Sequence, residues 1–113
     1  MADREEVLRR FALGDEAFID AQVLARRSRR GSAGLGDSGA ALVKLGALAA
    51  TDGSSLSWHQ TVSDALNAGV SPDEIVDALV ALAPMIGRTR VTSIAPKVAL
   101  AIGYDIEEAL FTR

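Results

Sequence analysis

Cysteine is absent from the 113 residues. That removes disulfides, thiolate metal sites and thiol nucleophiles, and it fits a reducing compartment. Aromatic residues make up only 4% of the chain against 49% hydrophobic residues in all, so its apolar content is mostly alanine, leucine, valine and isoleucine. Such side chains pack closely between helices, yet each fills little volume. Charge of one sign is not in large excess either: 12 basic and 15 acidic residues leave a formal net charge of -3, and no global field favours nucleic acid. Long hydrophobic runs are missing. Leu45–Thr51 and Ala78–Gly87 are strongly apolar but fall far short of the roughly 20 residues that span a bilayer. No stretch alternates with period two for long enough to argue a strand. The opening MADREEVLRR is charged from Asp3 onward and does not read as a secretory signal. These absences predict a soluble, cytoplasmic, all-α protein that binds neither membrane nor nucleic acid.

A chain of this length is one domain, able to bury roughly 65% of its unfolded surface in one modest core. The apolar stretches outnumber what that core needs. The surplus predicts subunit contacts.

Taken in order, residues 3–13 place Val7, Leu8, Phe11 and Ala12 on one helical face, with acids first and arginines later to suit the helix dipole. Gly14 punctuates, and Asp15 is positioned to cap a second helix bearing Phe18, Ile19 and Val23. Arg26, Arg27, Arg29 and Arg30 form the one basic cluster. It reads as a solvated helix end, where cations offset the carbonyl dipole, in preference to a phosphate site. Residues 31–39, GSAGLGDSG, read as a loop whose Leu35 plugs into the body. The pattern lacks the Gly-Lys-Ser/Thr ending of a phosphate loop. Ala40–Ala50 is a helix with a single charge, Lys44, so nearly every face needs cover. Gly46 within it costs about 1 kcal/mol relative to alanine and predicts a close helix crossing.

The stretch from Ser54 to Gly103 holds the sole tryptophan, the sole histidine and all three prolines. Ser54 or Ser55 caps a helix to about Ala68 with Leu56, Val62, Ala65 and Leu66 as its apolar side. Gly69 stands where a left-handed residue closes a helix. Ser71-Pro72-Asp73-Glu74 carries a serine cap, a proline at the first helical position and a glutamate placed for a capping box. The helix it opens carries Ile75, Val76, Leu79, Leu82, Ala83 and Ile86, and Pro84 predicts a kink or an early end. After Gly87, residues 91–102 are again helix-like, interrupted by Pro96 and closed by Gly103. A last short helix begins at Asp105.

Four segments carry a resemblance: Leu45–Ala50, Ala65–Ile75 (ALNAGVSPDEI), Ala83–Gly87 (APMIG) and Ala99–Asp105 (ALAIGYD). Together they make the chain resemble the carboxymuconolactone decarboxylase family, within the alkylhydroperoxidase D-like superfamily. The resemblance runs from Leu35 to the end and leaves residues 1–30 as an N-terminal helical extension of a single 1–113 domain. It implies a bundle of about six helices, assembly into homo-oligomers (trimers or hexamers), and no cofactor or prosthetic group. The thiol peroxidases of the superfamily carry a Cys-x-x-Cys pair before a histidine; here that chemistry has no thiolate to run on. The decarboxylases keep a histidine about eight residues before the helix-ending glycine. That position is Thr61 here, and His59 lies two residues earlier, about 200° round the helix.

Trp58-His59 is the pair with chemical potential. An imidazole titrating near neutrality can act as acid or base on a small carboxylated lactone or aromatic ligand, and Trp58 can wall a planar ring. Thr61 adds a hydroxyl. Arg88 and Arg90 can hold a substrate carboxylate bidentately, or pair with acids across an interface. The other reading of His59 is a half-buried helix residue bonded to a carbonyl or a neighbouring subunit. No metal site is expected, since its ligands would have to come from several subunits.

Overall fold

The computed structural model describes residues 3–28, 34–51 and 53–104. Among the described residues there are six helices and no strand: α1 (Arg4–Ala12), α2 (Glu16–Ser28), α3 (Gly36–Thr51), α4 (Ser55–Asn67), α5 (Pro72–Ile86) and α6 (Arg88–Ala101). The all-α expectation holds. Among the described residues no helix is long and apolar enough to cross a membrane. The chain divides into two compact units, Met1–Gly36 and Asp37–Arg113. The helix expected from Asp105, and Arg29 and Arg30 of the basic cluster, lie outside the described residues.

The first unit pairs α1 with α2. The Asp3 side chain accepts from the Glu6 amide at 2.9 Å and Asp15 accepts from the Phe18 amide at 3.1 Å, so each helix begins with a charged cap. The carboxylate of Glu6 accepts from Arg9 at 2.7 Å and from Arg10 at 2.8 Å. Arg10 in turn stacks its guanidinium 4.8 Å from the centre of the Phe18 ring, which meets Phe11 edge-on at 6.1 Å. None of the described residues of this unit is buried. Arg26 does not end in solvent as expected: it is half-buried and donates to the Gly36 carbonyl at 2.8 Å. Leu35 does not plug into the body. It is exposed.

The second unit holds the core. From α3 come Ala41, Leu45 and Ala49, from α4 Trp58, Val62 and Ala65, then Val70, Ile75 from α5, and Ile94 and Val98 from α6. The helical spacing accounts for each set: Ala41, Leu45 and Ala49 recur every four residues, as do Ile94 and Val98, so each stripe faces one way. The α6 helix packs against both α4 and α5. The helix expected over 40–50 starts earlier, at Gly36, and takes Asp37 into its first turn, where an acid suits the dipole.

Turn chemistry sets the boundaries around the site. At the end of α4 the Val70 amide donates to the Ala65 carbonyl at 3.0 Å and the Gly69 amide to Leu66 at 3.1 Å, with Gly69 at φ 95°. This is a Schellman closure, and Val70, buried, packs into the core beyond it. Ser71 then forms the expected capping box: its hydroxyl accepts from the Glu74 amide at 3.1 Å while its amide donates to the Glu74 carboxylate at 2.9 Å. Pro84 does not end α5 early; the helix runs on to Ile86. The carbonyl that Pro84 leaves without its helical donor belongs to Val80, which is on the exposed side of α5.

Gly46 faces Leu82 of α5, and a methyl added there would meet the nearest Leu82 carbon at 3.5 Å. That is ordinary contact, so the helices do not approach closely enough to require glycine.

Candidate functional site

The candidate site is built on α4. Ser54 starts the helix by accepting from the Ser57 amide at 3.1 Å. Thirteen residues then form it, and its buried stripe is Trp58, Val62 and Ala65, at offsets of four and seven. Leu56, expected in that stripe, is exposed. The large indole takes the core-facing position and fixes the rotation of the helix, and Leu56, two residues and about 200° away, is carried outward.

Trp58 is 0% exposed and sits within the core cluster with Leu45, Val62 and Ile94. His59, about 100° further round the helix, is exposed, as are Gln60 and Ser63 beside it. Thr61 is half-buried and lies one turn from Trp58, on the flank between the core and the open face. Arg88 is exposed at the first position of α6, while Arg90 is half-buried. The Arg88 carbonyl accepts from the Thr92 hydroxyl at 2.9 Å. Among the described residues, no hydrogen bond or ion pair joins any two of Trp58, His59, Thr61 and Arg88. The helix frame brings α4 and α6 together, but the four side chains do not form a bonded constellation within one chain.

One polar atom in the core is unusual. The indole nitrogen of Trp58 is buried and has no hydrogen-bond acceptor among the described residues. Burying such a donor costs about 1–3 kcal/mol, and the indole's large apolar surface offsets this.

The sequence marks Lys97 as the sole charge on residues 91–102 but assigns it no role. It is half-buried and donates to the Gly53 carbonyl at 3.2 Å. This ties α6 to the turn that starts α4, and so holds the helix bearing His59 from its N-terminal end. A lysine isolated in an otherwise uncharged helical run was the available signal, since a charge drawn towards the interior requires a partner. Among the described residues no group of three His, Asp or Glu side chains is arranged to hold a metal ion.

The carboxymuconolactone decarboxylase family model matches residues 21–98, more than two thirds of the chain, from within α2 through most of α6. No curated protein and no solved structure matches it.

Proposed function

The chain belongs to the carboxymuconolactone decarboxylase family, and on that premise we propose that it is a homo-oligomer, a trimer or hexamer, acting by cofactor-free acid/base chemistry on a small carboxylated lactone. The reaction is decarboxylation or isomerisation. In decarboxylation the bond to the carboxylate carbon breaks and carbon dioxide leaves. Its electron pair spreads into the lactone as a dienolate, and an acid returns a proton to carbon. His59 is that acid, and its neutral form is the base for isomerisation. Arg88 and Arg90 open α6 and offer the guanidinium groups a substrate carboxylate requires, of which one suffices. Thr61 stands on the flank of α4 to bond the ring oxygen. Trp58 lies beneath the surface and contributes by holding α4 in place.

What supports this reading is the position of His59. The only histidine of the chain lies within the family match, on an exposed helix face, next to a residue locked in the core. A titratable group is thus held rigidly yet open to a ligand or a second subunit. The test is turnover of a panel of carboxylated lactones, with carbon dioxide release as readout. Wild type is expected to turn one over, and His59→Ala to lose at least about a hundredfold in kcat with unchanged thermal stability. Equal activity in both removes His59 from the mechanism.

A second reading is favoured by a specific observation: no described side chain bonds to His59 and orients its ring. In that reading the chain is a non-catalytic member that binds a small carboxylated or aromatic ligand, or serves as an assembly unit. A ligand-dependent rise in melting temperature without turnover supports it.

A further inference from the structure

The α5 helix leaves one side open. No side chain from Ala78 to Gly87 is polar, yet only Ile75 of this helix is buried. Leu79, Leu82 and Ile86 pack against the core, whereas Val76 is 46%, Val80 67% and Met85 83% exposed. Ala81 and Pro84 are exposed on the same side. At 100° per residue these positions span about half the helix circumference, with Val76 at one edge and Met85, nine residues on, at the other. Contiguous apolar surface of this kind marks a contact site. Charge flanks it in a fixed order: Asp73 and Glu74 lie before it, Asp77 within it, and Arg88 and Arg90 after it.

We propose that this face is covered by α5 of a second copy, the two helices running antiparallel about a two-fold axis. The inference rests on the homo-oligomer reading above and selects its hexameric form, since a ring trimer has no two-fold axis. Antiparallel pairing sets the acidic start of each helix against the arginines that follow the end of the other, at both ends at once. Parallel pairing sets acid on acid and base on base, which opposes association. The register follows from the charges. Placing Arg88, just past the Gly87 end of α5, near the partner's Asp73 centres the pair near the step between Val80 and Ala81. The same centre opposes Met85 to the partner's Val76. A two-fold axis between antiparallel helices brings like edges of the face together, so Val76 and the partner's Met85 share a height and flank the seam on its two sides. Asp77, the one charge inside the face, is a turn beyond Asp73 and within reach of the same arginine. The pairing assigns Arg88 to the interface and leaves Arg90 for a substrate carboxylate.

The absence of cysteine makes the register directly testable in the full chain. Val76→Cys, Val80→Cys and Met85→Cys are each treated with a short bismaleimide linker. Val80→Cys is expected to form a covalent dimer alone. Val76→Cys and Met85→Cys are expected to form one efficiently only when mixed, because the mixed pair lies at one height, whereas each type is offset from its own copy by nine residues, about 13 Å. Strong linking of Val76→Cys to itself and of Met85→Cys to itself establishes parallel pairing and overturns the proposal. As a second measurement, Asp73→Arg or Arg88→Asp alone is expected to raise the dissociation constant roughly tenfold, with the double reversal restoring it. If wild type sediments as an oligomer but no variant links and neither reversal weakens it, this interface is wrong while the homo-oligomer reading stands. Wild type sedimenting as a monomer at micromolar concentration removes both.

Discussion

The two units of the chain are held by different forces. In the α1–α2 hairpin no described residue is buried, and its order comes from two caps, the Glu6 ion pairs and the contact of Arg10, Phe11 and Phe18. In the Asp37–Arg113 unit, four helices enclose a core whose buried members are all apolar. Exposed pairs contribute little, being screened by solvent, whereas full burial of one large side chain contributes about 1.5–3 kcal/mol. The hairpin therefore opens locally at little cost, and the second unit unfolds as one. It is also the unit that carries His59.

The sharpest way to break this contrast is to empty the centre of the core. Trp58→Ala is expected to destabilise the second unit by about 3–5 kcal/mol, read from denaturant unfolding. Trp58→Phe removes the indole N–H that lacks an acceptor along with some volume, and the two effects offset to within about 1 kcal/mol. Phe18→Ala, the matching change in the hairpin, is expected to cost no more than about 1.5 kcal/mol. Equal losses from Trp58→Ala and Phe18→Ala would show that the two units share one cooperative transition, and the comparison would fail.

Gly46 tests the second unit from the other direction. The residue costs about 1 kcal/mol of helix propensity, and the nearest neighbour of an added methyl is Leu82 at 3.5 Å. Gly46→Ala is expected to stabilise by about 0.5–1 kcal/mol, seen as a rise in the denaturation midpoint with an unchanged slope. A loss instead means that α3 and α5 are pressed closer than ordinary contact, as the sequence alone suggests.

Legibility in the sequence followed the range of the interaction. The caps at Ser54, Ser71 and Asp15 and the closure at Gly69 depend on residues three to five apart, and each was readable. So was the all-helical class. Which of several apolar residues wins the core was not. Leu56 and Trp58 both suit a buried position, and only the packing partners on α3 and α6 decide for the indole. The same limit governs the site: Trp58 reads as an aromatic wall because its neighbour is a histidine, but the fold spends the ring on the core. Leu35 failed for a related reason, since an apolar residue in a glycine-rich segment carries no record of a receiving surface. Lys97 was legible as an isolated charge, and its acceptor, the Gly53 carbonyl, lies 44 residues away.

The smallest expected effect sharpens the hairpin side of the comparison. Hydrogen bonds from Arg9 and then Arg10 hold the Glu6 carboxyl below its ordinary 4.5, at about 2. A carboxyl depressed by folding contributes stability that is fully present above its unfolded value and is lost as pH falls through the folded one. The hairpin is therefore expected to loosen between about pH 4.5 and pH 2 by this route, with amide exchange in α1 as the measure. Because the group is exposed and screened, the change is modest and shrinks with added salt. Glu6→Gln flattens that part of the profile, while the amides around Trp58 stay protected over the same range. Loss of protection at Trp58 in step with α1 would mean that the surface charges of the hairpin govern the core as well.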